Sequence, residues 1–372
     1  MNAPDAKEIL AGIRRWVEIE SHTADADGVN RVMDACAAGW TEAGAKVERI
    51  PGRDGYGDHL SVSSAWGGDE PGVLVLCHLD TVHPRGTIKD LPFKVDGDKC
   101  YGPGIYDMKG GAYLAFAAYQ AITRAGAKTP LPLRFLYTSD EEVGSPSSKA
   151  LIEAHARKAK YVLVTEPARD GGKIVTSRKG VARFVLKAHG RPSHAGARHQ
   201  DGRSAILEVA RHIVDIEAMT DYARGVTFNV GQITGGTAEN VVPAFCEAAI
   251  DMRIKTIADA QQFEAHFRNL KAYHPDVTVQ VTGGLNRPPY EMSAGGAKLY
   301  AHAQKVASEI GIDLVGVTTG GGSDGNFTAP FVATLDGLGI DGNGAHTMHE
   351  HMLISSIEPR MNLQKRLFET LV

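Results

Sequence analysis

Cysteine is scarce in this chain of 372 residues: there are four, Cys36, Cys77, Cys100 and Cys246, and no two of them form a CxxC pair. Such scattered positions argue against a disulfide framework and against a zinc site with cysteine ligands. We interpret the four as small buried hydrophobic residues.

Long apolar runs and a strong excess of one charge are also missing. The run 73–77 is far shorter than the roughly 20 residues that a membrane-spanning helix requires. The formal net charge is -4, so no basic surface invites nucleic acid. Asp5, Lys7 and Glu8 precede any apolar segment, unlike in a signal peptide. We therefore predict a cytoplasmic globular protein with neither a membrane nor a nucleic-acid partner.

The first half of the chain alternates apolar runs with helical patterns. Asp5 precedes a pattern with apolar residues three or four positions apart, which predicts a capped first helix. The strand candidates are 73–77, 133–137 and 161–164, and further helical patterns lie at 29–43, 111–125 and 147–156. This alternation predicts an α/β fold in which helices flank a mixed, mostly parallel central sheet.

The pattern changes after about residue 176 and returns near residue 294. Between them lie strand, helix, strand, strand, helix and strand patterns at 182–188, 205–219, 226–233, 246–254, 258–271 and 277–282. This order is typical of a ferredoxin-like α+β unit. We predict that a domain of residues 179–288 is inserted into a larger domain formed by residues 1–178 and 289–372.

His78 and Asp80 follow the first apolar strand directly. Ligand sites of α/β proteins lie at the carboxyl ends of such strands, and residues two apart on an extended segment point to the same side. The pair suits a metal-bound imidazole held by a carboxylate. Taken alone, a hydrogen-bonded strand-end histidine is the more frequent explanation.

Asp107 stands in the glycine-rich segment 102–111, immediately before a helical pattern. The glycines permit tight turns, and a carboxylate delivered there could bridge two dications. On this segment alone, an aspartate that caps the next helix is the favoured alternative.

Further carboxylates and histidines occur at strand ends and in glycine-rich loops. Asp140, Glu141 and Glu142 follow the strand 133–137, and Glu166 follows the strand 161–164. Three adjacent carboxylates are costly unless they are solvated or neutralised by cations. The segment 342–351 adds His346, His349 and His351. Each segment alone also fits a polar loop, but together they offer imidazole and carboxylate without thiolate, a ligand set suited to two catalytic zinc ions or to Mn²⁺ or Co²⁺.

The chain resembles the carboxypeptidase G (glutamate carboxypeptidase) branch of the aminoacylase-like di-zinc metallopeptidases. The resemblance covers nearly the whole length and is carried by HLDTV, YGPGIYDMKGG, SDEEVGS, TEP, GRPSHAG, the segment 240–243 before Asp251-Met252-Arg253, and GGGSD. It implies a fold of the zinc exopeptidase type, a catalytic domain with two Zn²⁺ per subunit, and an inserted domain that serves as lid and as homodimer surface.

The resemblance also implies roles for individual residues. Asp107 would be shared by two metals, with His78 and Glu166 on one and Glu142 and His346 on the other. We prefer His346 to His349 because Glu350 follows it by four residues, which is how the closing motif of the family usually runs. Asp80 would orient His78, Glu141 would be the general base, and His194 would stabilise the tetrahedral oxyanion, commonly in the site of a partner subunit. The residues implied to contact substrate are Arg253, Asn240, Lys173, Gly321, Gly322 and Ser323.

The implied reaction is hydrolysis of an amide bond next to a free C-terminal carboxylate of a small peptide or N-acyl amino acid. Relatives that cleave C-terminal glutamate carry an arginine before a Phe-Asn pair, where this chain has Thr227, so glutamate specificity is weakened. An N-acyl-amino-acid deacylase or a dipeptidase is the nearest alternative, and a catalytically silent binding protein is the alternative of another class. The segment 337–342 matches GxGxxG but does not open a helix, so we set a dinucleotide site aside.

Overall fold

The computed structural model describes residues 3–372 of the chain. The helices are α1 (Ala6–Val17), α2 (Ala26–Glu42), α3 (Gly110–Arg124), α4 (Lys149–Ala156), α5 (Ala205–Ala218), α6 (Ile257–Arg268), α7 (Ala294–Glu309), α8 (Gly325–Thr328) and α9 (Ile357–Thr370). The strands are β1 (Lys46–Ile50), β2 (His59–Ser63), β3 (Gly72–His78), β4 (Lys94–Asp96), β5 (Lys99–Tyr101), β6 (Leu133–Thr138), β7 (Ala159–Val164), β8 (Ile174–Arg178), β9 (Gly180–His189), β10 (Ser193–His194), β11 (Thr227–Gly235), β12 (Val241–Val242), β13 (Phe245–Ile254), β14 (Thr278–Arg287), β15 (Gly316–Thr319), β16 (Ala333–Leu335), β17 (Gly342–Asn343) and β18 (His351–Leu353).

Contacts between Cα atoms divide the chain into two compact units. The first consists of residues 1–177, 291–318 and 323–372, and the second of residues 178–290 and 319–322. Each unit has a hydrophobic core of its own. The inserted position and the role of the second unit stay predictions.

A six-stranded sheet forms the centre of the first unit, with the order β1-β2-β6-β3-β7-β16. The pairs β6–β3, β3–β7 and β7–β16 are parallel, whereas β1 and β2 extend the sheet in antiparallel fashion. Every residue of β3 is buried, as expected for a strand covered by helices on both faces. The predicted fold class, a mixed and mostly parallel sheet flanked by helices, is confirmed.

The core beside this sheet is built around aromatic side chains. Trp40 on α2 is fully buried, and its ring lies 4.4 Å from that of Phe135 and 4.9 Å from those of Phe116 and Tyr119, measured between centroids. The indole N–H donates to the Tyr137 hydroxyl at 3.0 Å. The alanine-rich helix α3 packs against α1 and α9, because its small side chains allow close approach of neighbouring helices.

The second unit contains an antiparallel sheet with the order β11-β13-β9-β14. Burial alternates along β13, as expected for a strand with one face on a core and the other towards solvent. Helices α5 and α6 contact this sheet.

Most element bounds agree with the sequence patterns to within a few residues. Asp5 caps α1, accepting from the Glu8 N–H at 2.8 Å, so that prediction is confirmed. The short strands β1, β2, β4 and β5 were not predicted, because three to five residues are too few for an alternation of polar and apolar residues to stand out. Among the described residues, no helix is long and apolar enough to cross a membrane.

Candidate active site

The carboxyl ends of three neighbouring parallel strands meet at one edge of the central sheet. His78 is the last residue of β3 and pairs in register with Thr138, the last residue of β6. Glu141 and Glu142 follow β6, and Glu166 follows β7. Parallel strands end at the same edge of a sheet, which is why residues far apart in the sequence come together here.

His78, Asp107 and Glu166 form the first of two clusters. The Nε2 atom of His78 lies 3.4 Å from Asp107 Oδ1 and 3.6 Å from Glu166 Oε1. The three candidate ligand atoms lie within 4.8 Å of one another, a spacing that suits coordination of one metal ion.

Asp107, Glu142 and His346 form the second cluster. The Nε2 atom of His346 lies 3.4 Å from Asp107 Oδ2 and 3.1 Å from Glu142 Oε2. Asp107 thus presents one carboxylate oxygen to each cluster. The structure brings together all five residues implied as metal ligands and groups them as the resemblance implies.

Hydrogen bonding distinguishes these residues from ordinary buried polar groups. Three buried atoms of the two clusters have no hydrogen-bond partner within residues 3–372: His78 Nε2, Asp107 Oδ1 and Glu142 Oε1. Buried polar atoms without a partner are rare, because each loses its hydration without compensation. A cation held between imidazole and carboxylate atoms would supply the missing partner, so the residues fit a zinc-type ion.

The charges of the clusters also suit a cation. Burial opposes ionisation of Asp107, but the contacts with His346 and His78 outweigh it and lower the pKa of Asp107. Contacts with Asp107 and Glu142 raise the pKa of His346 to about 11, and burial raises the pKa of Glu142 to about 8. Without a metal, His346 and Glu142 therefore hold protons near neutral pH. A metal ion that binds here must displace those protons.

The ring of His78 is oriented by Asp80. His78 Nδ1 donates to the Asp80 carbonyl oxygen at 3.0 Å, which leaves Nε2 as the nitrogen that can bind a metal. The Asp80 carboxylate lies 3.4 Å from Nδ1. It accepts from the Thr23 hydroxyl at 2.7 Å and from the backbone N–H groups of Glu141 and Glu142 at 3.2 Å. One aspartate therefore positions both the imidazole and the turn that carries the two glutamates.

The carboxylates of the segment 139–144 have different environments. Glu141 is about one-tenth exposed, and its Oε2 lies 4.0 Å from His78 Nε2. Asp140 is fully buried and accepts hydrogen bonds from the backbone N–H and hydroxyl groups of Ser147 and Ser148. Asp140 is therefore stabilised by donors of the protein, whereas Glu141 lies beside His78 of the first cluster.

The interpretation of Asp107 as a helix cap, favoured from its segment alone, is wrong. Helix α3 begins at Gly110, and no side chain caps it. Asp107 instead has φ -115° and ψ 97°, outside the helical region. Its loop turns at Gly104, with φ 70°, where an added Cβ would lie 2.4 Å from the Thr81 side chain.

The residues implied to contact substrate lie on both units. Arg253 forms a bidentate ion pair with Asp251, at 2.6 and 3.0 Å. Asn240 is exposed and Lys173 is half-buried. In this conformation Ser323 offers neither of its donors to a substrate, because its N–H donates to Asn326 and its hydroxyl donates to Asp336.

The glycine loop before Ser323 belongs to the second unit and is held there by hydrogen bonds. The carbonyl oxygens of Gly321 and Gly322 accept from Arg178 at 3.1 and 3.2 Å. The Gly321 N–H lies 3.4 Å from the Thr319 hydroxyl. The carbonyl oxygens are thus engaged within the protein, and any anion bound by this loop would be bound through N–H groups.

His194 is exposed in the second unit, and its hydrogen bonds define its tautomer. The backbone N–H groups of Gly196 and Ala197 donate to Nδ1 at 3.1 and 3.2 Å. Nδ1 is therefore an acceptor, and Nε2 carries the proton of the neutral ring. The atom that His194 presents to solvent is a hydrogen-bond donor.

Two features beside the clusters were not predicted from the sequence. A cavity of about 580 Å³ is lined by residues that include Tyr106, Arg169, Asp341 and Ala345, and two of these, Tyr106 and Ala345, precede Asp107 and His346 in the sequence. Its volume suits a small organic ligand. The second feature is the buried environment of Glu350, which sequence spacing alone did not reveal.

Comparison with known proteins gives a consistent picture. A family model described as peptidase family M20/M25/M40 matches residues 74–370. The chain is 31% identical to carboxypeptidase G2 of Pseudomonas sp. (strain RS-16) over 371 residues, which covers 96% of this chain and 88% of that protein. It is 29% identical to succinyl-diaminopimelate desuccinylase of Paracidovorax citrulli (strain AAC00-1), covering 84% of this chain and 86% of that protein.

Solved structures share the fold. A tripeptidase of Staphylococcus aureus superposes with a TM-score of 0.79 at 20% identity, covering 99% of both chains. An M20 family metallo-carboxypeptidase of Sulfolobus solfataricus gives a TM-score of 0.77 at 15% identity, covering 97% of this chain and 98% of that one. At these identities the similarity concerns the fold alone.

Replacing Glu142 with alanine should remove one metal position, because the second cluster then keeps only His346 and the shared Asp107. Zinc per chain, measured by elemental analysis after dialysis, is expected to fall from two ions to one. Glu42→Ala, at an exposed glutamate near the end of α2, is the matched control and should retain both ions. Equal zinc content in the two variants would contradict the assignment of Glu142.

Proposed function

The chain belongs to peptidase family M20/M25/M40 and is a metal-dependent hydrolase, and we propose that it cleaves an amide bond next to a free C-terminal carboxylate and releases an amino acid. We further propose that each subunit binds two Zn²⁺ ions through the two clusters, although Mn²⁺ or Co²⁺ would suit the same ligands. The observation that carries the proposal is the position of Asp107, with one carboxylate oxygen in each cluster.

The protein groups around the clusters suit a general-base mechanism. A pair of bound dications would polarise the substrate carbonyl and make a water molecule acidic near neutral pH. Glu141 would accept the proton of the attacking water and transfer it to the departing amine nitrogen. Its limited exposure and its distance of 4.0 Å from His78 support this role.

His194 would stabilise the negative charge that develops on the carbonyl oxygen. Its Nε2–H is a neutral donor directed away from the backbone that fixes Nδ1. A donor aimed at a developing oxyanion typically contributes about 3–4 kcal/mol to the transition state.

Replacing Glu141 with glutamine tests the chemistry separately from metal binding. Glutamine has nearly the same size but cannot accept the proton, so kcat should fall by about 10²- to 10⁴-fold. Zinc content should remain that of the unaltered protein, because Glu141 belongs to neither cluster. Full activity, or loss of zinc, would contradict the role of general base.

The cationic residues support recognition of a carboxylate but leave the side-chain preference open. Arg253 and Lys173 would bind the terminal carboxylate, together with Asn240 and N–H groups of the glycine loop. Thr227 is the register partner of Arg253 on the neighbouring strand. An arginine at position 227 would place a second cation beside Arg253, and its replacement by threonine argues against a strong preference for glutamate.

Relatives with the same fold differ in substrate, and their names define the alternatives. The similarity to carboxypeptidase G2 supports carboxypeptidase activity. The similarity to the desuccinylases supports deacylation of N-acyl amino acids. A dipeptidase would use the same chemistry. A catalytically silent binding protein is disfavoured, because Glu141 and both clusters are intact.

A panel of zinc-loaded hydrolysis assays separates these alternatives. We expect cleavage of peptides and N-acyl amino acids with a free terminal carboxylate, and no cleavage when that carboxylate is amidated. Folyl-glutamate, dipeptides, N-acetyl amino acids and an N-succinyl amine cover the candidate classes. Thr227→Arg should raise kcat/KM for C-terminal glutamate relative to C-terminal alanine. Faster cleavage of the succinyl amide than of all peptides would favour the deacylase instead.

We also propose that the second unit forms a homodimer. Leu207 and Val214 on α5 are 53% and 68% exposed and stand seven residues apart, so they share one helix face. Ile233 is 52% exposed on β11, which lies at the edge of its sheet. Exposed apolar side chains beside a sheet edge suit association with a second copy.

Mixing two inactive variants tests both the dimer and the site that His194 serves. If His194 of one subunit acts in the site of the other, a heterodimer of His194→Ala and Glu141→Gln contains one intact site. Refolding or subunit exchange of an equal mixture should then restore about one quarter of the sites of a twofold symmetric dimer. No recovery in a mixture that sedimentation shows to be dimeric would place His194 in the site of its own subunit.

A further inference from the structure

Glu350 is a fully buried carboxylate that belongs to neither metal cluster. It lies four residues after His346, in the segment that connects β17 and β18. Removing a carboxylate from water costs several kcal/mol unless nearby donors replace the lost hydration. The donors that surround Glu350 therefore indicate what it does.

Three of its donors come from the loop that carries Asp107. Glu350 Oε1 accepts from the backbone N–H groups of Tyr106 and Asp107, both at 2.9 Å. Glu350 Oε2 accepts from the Gly104 N–H at 3.0 Å and from the Nε2–H of His83 at 2.6 Å. The carboxylate is thus enclosed by four donors, and His83 is the only side chain among those recorded for it in residues 3–372.

This loop is an irregular turn with few hydrogen bonds of its own: the Lys109 N–H donates to the Gly104 carbonyl oxygen at 2.9 Å, and the Ile105 N–H donates to the Gly102 carbonyl oxygen at 3.3 Å. Its glycine turn at Gly104 and the extended conformation of Asp107 prevent a continuous helix before α3. Backbone N–H groups that converge on one point form an anion site, which is stable only when an anion occupies it. Without the charge of Glu350, three buried N–H groups would lose their acceptor, and the loop would have to rearrange.

We propose that Glu350, with His83 as its side-chain donor, is the positioning residue of the metal centre. It fixes the Asp107 carboxylate between the two clusters through the backbone of residues 104–107. Because Glu350 and His346 belong to one short segment, the same carboxylate also fixes the separation of 3.4 Å between Asp107 Oδ2 and His346 Nε2. This inference rests on the proposed role of Asp107 as a shared metal ligand.

The test compares Glu350→Gln with the unaltered protein. Glutamine has nearly the same shape, but its amide group would direct N–H donors at N–H donors. Changes in groups that orient metal ligands typically weaken metal binding by about 10- to 100-fold. We expect a loss of that size in zinc affinity, measured by competition with a chromogenic chelator. The visible absorption spectrum of the cobalt-substituted protein should change as well, because the geometry of the ligands changes.

A second variant and a control make the result specific. His83→Ala should weaken zinc binding by a smaller factor, since three of the four donors remain, and it serves as the test should Glu350→Gln not fold. His349→Ala alters the exposed neighbour of Glu350 and should leave zinc affinity and the cobalt spectrum unchanged.

The outcomes separate positioning from simple stabilisation. If Glu350 and His83 only stabilise the fold, both variants will melt at lower temperature without metal and keep normal zinc affinity and cobalt spectra, and the inference will be overturned. An unaltered protein that binds no zinc would instead refute the proposed function, and the inference with it.

Discussion

The candidate site depends on one carboxylate, that of Asp107, which presents one oxygen to each of the two clusters. Asp107 can face both clusters only if its backbone approaches the edge of the central sheet without continuing into a helix. The parallel strands β3, β6 and β7 bring His78, Glu142 and Glu166 to that edge. The loop of Asp107 then has to be supported from outside the sheet, because no strand pairing reaches it.

Hydrogen-bond donors separate the structural carboxylates from the candidate ligands. Asp80, Asp140 and Glu350 are buried, and each accepts several hydrogen bonds from backbone or hydroxyl groups. In the described part of the chain, Asp107 Oδ1 and Glu142 Oε1 are buried and accept no hydrogen bond. A buried carboxylate oxygen needs either a donor or a cation. Asp25 Oδ2 is also buried without a hydrogen-bond partner in residues 3–372, so it is the grouping of Asp107 and Glu142 with histidines that supports the proposed cation-binding positions.

The sequence indicated the candidate ligands better than it indicated the residues that hold those ligands in place. Strand ends and glycine loops indicated six candidates, and the family resemblance then implied which of them are ligands and which is the base: His78, Asp107, Glu141, Glu142, Glu166 and His346. The sequence could not show that Asp140 accepts hydrogen bonds from Ser147 and Ser148, because three adjacent carboxylates look alike in a sequence. Nor could it show that Glu350 contacts residues 104–107, because that contact spans more than 240 positions along the chain. The strands β1 and β2 were missed for a different reason: each has only five residues, too few for its pattern to stand out in the sequence.

Substrate recognition in the proposed function depends on Arg253, whose guanidinium is already paired with Asp251. The bidentate pairing with Asp251 holds the guanidinium of Arg253 in a fixed plane and already neutralises much of its charge. Its Nη1 donates to the Gly320 carbonyl oxygen at 3.4 Å. We propose that the second N–H of Nη1 and the second N–H of Nη2 bind the incoming carboxylate. Thr227, the register partner of Arg253, adds no second charge. Arg253 alone would therefore favour substrates with a terminal carboxylate but would discriminate little between the side chains of the C-terminal amino acid. On the proposed function, the protein would therefore act on substrates with several different C-terminal amino acids.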